Sequence, residues 1–214
     1  MRVLLRDNLI VLIPESTDER CELDGWKATH ETHVFCASSL NPQALELQGL
    51  GKRADACREP INVFSNSADP VARMISNFAT APFELDGQRY QSVESFWQGL
   101  KFSRESERRH VAQLDGARAQ AEGEKQGYGP TISYGGQDIT VGTWPHWQLM
   151  ERACRAKFTQ NPEAAEALLA TGGRPLTHVV RRDSTTIPGV VMAAIWMRIR
   201  KDLTNLDPMP TKRQ

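Results

Sequence analysis

One short segment, SVESFWQGLKF at residues 92–102, constrains the fold of this chain more than any other stretch. Its large apolar residues recur at the i, i+3, i+4, i+7 spacing of one helical face: Val93, Phe96, Trp97 and Leu100. Ser92 stands immediately before them and is a residue type favoured at helix N-caps. The segment therefore predicts an amphipathic helix that begins after Ser92 and packs its apolar face on a core.

Polar side chains on a neighbouring stripe of this helix are the first candidates for a functional site. Glu94, Gln98 and Lys101 share the helical period, so a carboxylate, an amide and an amine project in one direction over roughly 10 Å. An ordinary helix explains the stripe too, because its dipole favours a carboxylate in the first turn. Gly99 costs about 1 kcal/mol relative to alanine in a helix interior. We therefore expect another segment to approach the backbone there.

Composition favours an ordinary globular protein. The chain has 214 residues, 40% hydrophobic and 24% charged, with 26 basic and 26 acidic residues. The chain has no net charge that would attract it to nucleic acid or membrane, although a zero net charge does not exclude a local basic groove. Apolar runs are too short for a membrane span, and the N-terminal stretch is interrupted by charges. We expect a cytoplasmic protein that does not enter a membrane.

The cysteines and histidines do not indicate a metal centre. The 4 cysteines are scattered and form no CxxC pair, which favours free or buried thiols. His30 and His33 lack the spacing of an HExxH helix. We expect no metal and no cofactor.

Two structural units and a tail are predicted from the order of the patterns. Residues 1–58 predict a small β-rich N-terminal unit, with a hairpin at 3–6 and 9–13, a strand at 33–37 and a weak helical signal at 42–47. Residues 59–204 predict the main domain, and residues 205–214 a flexible tail.

The main domain is predicted to be mainly helical α+β with a small irregular sheet. Its short strands are expected at residues 61–65, 83–85, 88–90 and 176–180, with a turn at Asp86-Gly87. Its helices are expected at residues 92–102, at 105–126 with an interruption at 115–116, at 143–158, from 161 to 172, and at 190–203.

Three blocks of this domain, in order, resemble the NADAR family of YbiA-like N-glycosidases. The first is ISNFATAPFELDGQRYQSVESFWQGLKF, with its SNF segment, PF, DG turn and SVE helix. The second is HWQLMERACRAKFTQNPEAAEALLATGG, where a Trp precedes a helix ending in KF and the next helix ends in TG. The third is Asp183 with the closing helix VVMAAIWMRIRKDL. The resemblance spans about residues 61–203 and implies a YbiA/NADAR-like domain that hydrolyses N-glycosidic bonds.

The chain departs from the family pattern in three places. His146 stands where the family commonly has Asp, and His178 is the nearest candidate where it often has Glu. The family's Trp-Gly and Asn-x-Leu-Gly elements are replaced by TTIPGVVMAAI. These changes motivate an alternative, a non-catalytic sensor that binds ADP-ribose or a nucleotide.

The resemblance implies three catalytic residues. Cleavage of an N-glycosidic bond passes through an oxocarbenium-like sugar, which needs a carboxylate, a proton source and an activated water. Glu94 is the implied essential carboxylate, and Asp183 the second. An ion pair with Arg181 or Arg182 explains Asp183 equally well. Lys101 either binds phosphate as a cation or attacks a ring-opened ribose to form a Schiff base, and an ion pair with a nearby acid is the ordinary alternative.

Five further residues are expected to bind substrate: Asn77, Phe78, Gln98, Trp144 and Trp147. The indole face of Trp147, or that of Trp97 or Trp144, can stack on a heterocycle, and the Asn77 amide can bind ribose hydroxyls or a base edge. Core packing of each Trp and turn formation by the Asn are the alternatives, and the motif match favours a site role for Trp147.

The resemblance implies two substrate classes, and therefore two kinds of partner. One is the phosphoribosylamino-pyrimidine intermediates of riboflavin biosynthesis, which are small nucleotide-like molecules. The other is ADP-ribose attached to guanine in nucleic acid. Both reactions break a bond between ribose C1 and nitrogen, so the same residues suit both. The sequence predicts no oligomeric state.

Overall fold

The structure, a computed structural model, describes residues 1–6, 9–30, 33–41, 44–52, 59–181 and 184–206. The predicted boundary near residue 58 and most of the predicted tail lie outside these ranges, so both stay predictions. No helix in the described ranges is long and apolar enough to cross a membrane.

The N-terminal region contains two antiparallel strand pairs and one helix among its described residues. Its elements are β1 (Arg2–Arg6), β2 (Leu9–Ile13), α1 (Thr17–His30), β3 (His33–Asn41) and β4 (Ala44–Lys52). The predicted first hairpin and third strand are confirmed, because β1 pairs with β2 and β3 begins at His33. The helical signal at 42–47 is wrong for residues 44–47: they pair with β3, and that ladder outweighs a weak local propensity.

Seven helices are described in the rest of the chain, and they contain more residues than its described strands. They are α2 (Pro70–Ile75), α3 (Val93–Gly99), α4 (Glu105–Ala112), α5 (Gly116–Glu124), α6 (Trp144–Gln160), α7 (Pro162–Ala170) and α8 (Gly189–Leu206). The strands are β5 (Ile61–Asn62), β6 (Phe83–Leu85), β7 (Gln88–Tyr90), β8 (Thr131–Tyr134), β9 (Gln137–Thr140) and β10 (Leu176–Thr177). The mainly helical α+β prediction is confirmed.

The short strands form separate pairs: β6 with β7, β8 with β9, and β5 with β10 in parallel. The predicted strands at 61–65 and 176–180 are only two residues long. Asn62 explains the early end, because its side chain accepts a hydrogen bond from the Val179 N–H at 2.7 Å and donates to the Val179 carbonyl at 2.9 Å. A side chain thus replaces the next backbone pairing.

The helix α3 lies at the centre of the core. Ser92 caps it reciprocally with Ser95: the Ser92 hydroxyl accepts from the Ser95 N–H at 3.0 Å, and the Ser95 hydroxyl accepts from the Ser92 N–H at 3.1 Å. Phe96 and Leu100 are 1% and 3% exposed. Glu94 and Gln98 of the predicted polar stripe are buried as well, because α5 packs across them, and Lys101 is half-buried.

Two glycines of α5 permit this packing. A Cβ on Gly123 would lie 2.0 Å from Oε1 of Gln98, and a Cβ on Gly116 would lie 2.6 Å from Cα of Phe78. A Cβ on Gly99 would meet only the Arg108 carbonyl oxygen, at 3.9 Å. The close approach expected at Gly99 is therefore found at Gly116 and Gly123.

Candidate functional site

A cavity of about 600 Å³ lies beside α3, within the size range of small-molecule sites. Its lining includes Ser76, Asn77 and Phe78, here called the strap, and three residues of a loop at residues 184–187: Ser184, Thr186 and Ile187. Five of the residues singled out from the sequence line it together: Asn77, Phe78, Glu94, Gln98 and Lys101.

Glu94 is a buried carboxylate in this cavity. Its side chain is 6% exposed, Oε1 accepts a hydrogen bond from Nε2 of Gln98 at 2.6 Å, and its backbone N–H donates to the Asn77 carbonyl at 2.9 Å. Burial raises the pKa of Glu94 from 4.5 to about 7, against the opposing effects of the Gln98 hydrogen bond and the Lys101 charge. A carboxyl group with this pKa can both give and take a proton near neutral pH.

Gln98 fixes one oxygen of Glu94 and packs its own side-chain oxygen against Gly123. Its Oε1 is buried and has no hydrogen-bond partner among the described residues. Buried polar atoms are nearly always paired. Gly123 occupies the space beside this oxygen, since a Cβ there would lie 2.0 Å from it.

Lys101 lies across the end of α5. Its Nζ donates to the Gly123 carbonyl at 2.9 Å and sits 5.2 Å from the centre of the Tyr128 ring. Burial lowers the pKa of Lys101, and the charges of Glu94 and Glu124 oppose that shift. An amine that loses its proton more readily can act as a nucleophile, whereas the charged form attracts anions.

The Asn77 amide is surrounded by sulfur atoms. Its Nδ2 lies 3.7 Å from Sδ of Met150 and 3.8 Å from Sδ of Met192, and its Oδ1 lies 3.8 Å from Sγ of Cys154. Thioethers are weak acceptors. A ligand hydroxyl or base edge would therefore replace these contacts at little cost.

The tryptophans expected to stack do not line the cavity. Trp147 lies behind the 184–187 loop, where its indole N–H donates to the Thr186 carbonyl at 2.7 Å. Trp144 lines a separate depression beside Arg152 and Arg198. The phase of α6 directs both indoles elsewhere, and of the three candidate tryptophans it is Trp97 of α3 that lines the cavity.

Several cavity residues were not assigned a site role from the sequence. Tyr128 donates its hydroxyl hydrogen to the Trp97 carbonyl at 2.9 Å. Nδ1 of His178 lies 2.6 Å from the Val63 carbonyl oxygen and donates a hydrogen bond to it. Only the departure from the family pattern pointed to His178. Tyr128 lies in the glycine-rich stretch 127–142, whose pattern indicates no site.

His146, another departure from the pattern, lies behind the cavity wall. Its ring stacks on Trp97 with centroids 4.3 Å apart, and its Nδ1 accepts from the Gly142 N–H at 3.1 Å. Burial lowers the pKa of His146 to about 4, so the ring is neutral at physiological pH. It supports Trp97 as a packed neutral group.

The predicted catalytic residue Asp183 lies outside the described residues. Its described neighbours Arg181 and Ser184 both line the cavity. Within the described ranges no group of three or more His, Cys, Asp or Glu side chains is placed to hold a metal ion.

The raised pKa of Glu94 predicts a specific pH dependence of stability. Folded Glu94 keeps its proton up to about pH 7 and the unfolded chain loses it near pH 4.5, so the folded state binds more protons between these values. The stability contribution is complete below pH 4.5 and declines by about 3 kcal/mol as the pH rises through 7. Urea unfolding of wild type and Glu94→Gln at several pH values measures it. Parallel curves for the two proteins would contradict the expectation.

Comparisons with known proteins identify the family and the fold. The model of the family described as Bacteriophage protein GP30.3 matches residues 70–194, more than half of the chain. The N-glycosidase YbiA of Escherichia coli (strain K12) is 29% identical over 129 residues, which are 58% of this chain and 72% of that protein. The YbiA proteins of Shigella flexneri serotype 5b and Shigella boydii serotype 4 are 28% identical over the same coverage.

A solved structure shares the fold. The NMR structure of the Escherichia coli protein YbiA aligns with a TM-score of 0.52 and 23% identity, over 75% of this chain and 96% of that chain. The resemblance expected from the sequence is confirmed for family and fold. The chain belongs to the Bacteriophage protein GP30.3 family, and its cavity lies in a YbiA/NADAR-like α+β domain.

Proposed function

We propose that this protein is an N-glycosidase that hydrolyses the bond between ribose C1 and nitrogen in a nucleotide-like substrate. One observation carries the proposal: a buried carboxyl group with a pKa of about 7 shares a cavity with an amine of lowered pKa. The names of the YbiA relatives support the same reaction class.

Glu94 is the proton donor of the proposed reaction. Gln98 holds Oε1 as an acceptor, so the proton of the acid form sits on Oε2. Transfer of that proton to the leaving nitrogen lets the C1–N bond break, with the electron pair going to nitrogen. The resulting carboxylate stabilises the cationic sugar and then takes a proton from the attacking water.

Lys101 has two roles open to it, and they leave different intermediates. As a cation it binds a phosphate of the substrate. As a neutral amine it attacks C1 of the ring-opened ribose, the leaving nitrogen departs, and a Schiff base joins Nζ to C1. Water then releases the sugar aldehyde and restores the amine. The lowered pKa of Lys101 supports the second role, and its place beside Gly123 suits either.

The substrate proposal keeps both classes implied by the family: a guanine-linked ADP-ribose in nucleic acid, or a phosphoribosylamino-pyrimidine. The cavity of about 600 Å³ suits a nucleotide-sized group. Tyr128, Trp97 and Phe78 provide aromatic surface for a base in either.

A paired assay tests the proposal. The protein is incubated with an ADP-ribosylated guanine oligonucleotide and, separately, with a phosphoribosylamino-pyrimidine, and released products are identified by mass spectrometry. We expect release from one substrate. Release from neither, with ADP-ribose still bound, would replace the enzyme proposal with the nucleotide sensor.

The same assay separates the two roles of Lys101. Borohydride added during turnover is expected to trap a sugar on Lys101, and Lys101→Arg is expected to lose turnover, since arginine keeps the charge but stays protonated. Turnover by Lys101→Arg within about tenfold of wild type, with no trapped adduct, would contradict the Schiff base and assign the cationic role.

A further inference from the structure

Lys157 is a fully buried lysine whose ammonium group is satisfied by three backbone carbonyls. It lies on α6 with 0% exposure, and Nζ donates to the carbonyl oxygens of Met74, Ile75 and Ser76 at 2.6, 3.2 and 2.8 Å. An ammonium group has three N–H donors, so donors and acceptors match in number.

These carbonyls belong to the C-terminal end of α2, where a helix has acceptors without intrahelical partners and the negative end of its dipole. Burial lowers the pKa of Lys157 to about 7, so keeping the cation there opposes folding. An apolar side chain would fill this core position without that penalty. The position therefore has a role that apolar packing would not supply.

The last of the three carbonyls that Lys157 binds belongs to Ser76, the first residue of the strap. Ser76 is followed directly by Asn77, whose carbonyl accepts the Glu94 N–H and whose amide lines the cavity. The strap lies between two depressions, since Ser76 and Phe78 line both the cavity and a second depression of about 520 Å³. The strap is held by the hydrogen bonds of the Ser76 and Asn77 carbonyls and by the close packing of Gly116 on Phe78.

We propose that Lys157 is a positioning residue for the Glu94 site, acting through the strap. By holding the Met74, Ile75 and Ser76 carbonyls, it sets where the Asn77 carbonyl meets the Glu94 N–H and where the Asn77 amide enters the cavity. The kinetic part of this proposal rests on the proposed N-glycosidase activity. The structural part does not.

Lys157→Met tests the proposal, because methionine fills much of the space and removes the three hydrogen bonds. We expect kcat to fall about 10- to 100-fold, as small misplacements of catalytic groups do, with a smaller change in KM. We also expect faster hydrogen exchange at the Glu94 amide than in wild type, with unchanged exchange in the β8–β9 hairpin. Lys157→Gln, which keeps an N–H donor, is expected to be intermediate in both.

Arg200→Met is the matched control. Arg200 is 7% exposed, and its Nη1 donates to Oγ1 of Thr171 at 2.7 Å and to the Arg174 carbonyl at 2.8 Å, just past the end of α7. It does not line the cavity. We expect this variant to lose stability while kcat and Glu94 amide exchange remain those of wild type.

Three results would overturn the proposal. One is unchanged kcat and Glu94 exchange in folded Lys157→Met, and another is a uniform rise in exchange across the domain. The third is failure of both Lys157 variants to fold, since the lysine would then support the whole core. If wild type hydrolyses neither substrate, the exchange measurements still decide the role of Lys157 while the proposed function fails separately.

Discussion

Glu94→Gln is expected to lower kcat for N-glycoside hydrolysis by about 10²–10⁴-fold, the usual contribution of a positioned acid–base group. Glutamine cannot deliver a proton to the leaving nitrogen or balance the positive charge on the sugar. Its side chain still fills the buried position, and its Oε1 can accept the Gln98 hydrogen bond that Glu94 Oε1 accepts at 2.6 Å. KM should change much less than kcat, because the shape of the cavity is preserved.

The fold of this variant should be at least as stable as wild type at pH 7 and above. The neutral amide has no ionised form, so the penalty of burying a carboxylate is absent. Loss of turnover in a stably folded variant would therefore be caused by the missing carboxyl group and not by unfolding. In wild type, kcat should depend on a group titrating near pH 7, the pKa that burial gives Glu94, and the residual activity of the variant should lack that dependence.

Glu163→Gln is the control for this experiment. Glu163 lines the second depression of about 520 Å³, on the other side of the strap, and does not line the main cavity. The same chemical change there should leave kcat unaltered. Equal activity of Glu94→Gln and wild type on the preferred substrate would remove Glu94 from the mechanism and with it the main support for the proposed function.

Local signals made the central helix predictable. The capping serine, the apolar period of residues 93–100 and the Asp86-Gly87 turn all act within a few residues, so the sequence alone shows them. The break between α4 and α5 is equally local, because Asp115 accepts a hydrogen bond from the Arg118 N–H at 3.0 Å and begins a new helix. The first block of the family resemblance also predicts that one site brings together Asn77, Phe78, Glu94, Gln98 and Lys101.

Features that depend on tertiary packing were not predictable. In the sequence, the stripe of Glu94 and Gln98 has the same pattern as a solvated helix face, and only the packing of α5 buries it. The indoles of Trp144 and Trp147 suit stacking as well as Trp97 does, and only the rotation of α6 against the core decides which lines the cavity. Asn62 ends a strand early through a contact with Val179, more than a hundred residues away. A contact between residues so far apart in the chain produces no periodic pattern in the sequence.

The packing of α5 leads to a large expected effect on stability. Gly116→Ala would place a Cβ 2.6 Å from Cα and 2.7 Å from the carbonyl oxygen of Phe78. Both are backbone atoms, so the clash is relieved only by moving α5 or the strap. We expect the free energy of unfolding to fall by about 1–3 kcal/mol, the usual range for overpacking. Urea denaturation measures it.

Gly99→Ala is the matched control, because Gly99 also belongs to a buried helix and its added Cβ would meet only the Arg108 carbonyl oxygen, at 3.9 Å. There the higher helix propensity of alanine should leave stability unchanged or raise it by up to about 1 kcal/mol. Equal effects at the two positions would mean that the contact of α5 with Phe78 does not constrain the fold. Changes of opposite sign in the free energy of unfolding would show that the absence of a side chain at Gly116 shapes the cavity wall. Gly116→Ala should then also bind substrate more weakly, since Phe78 lines the cavity.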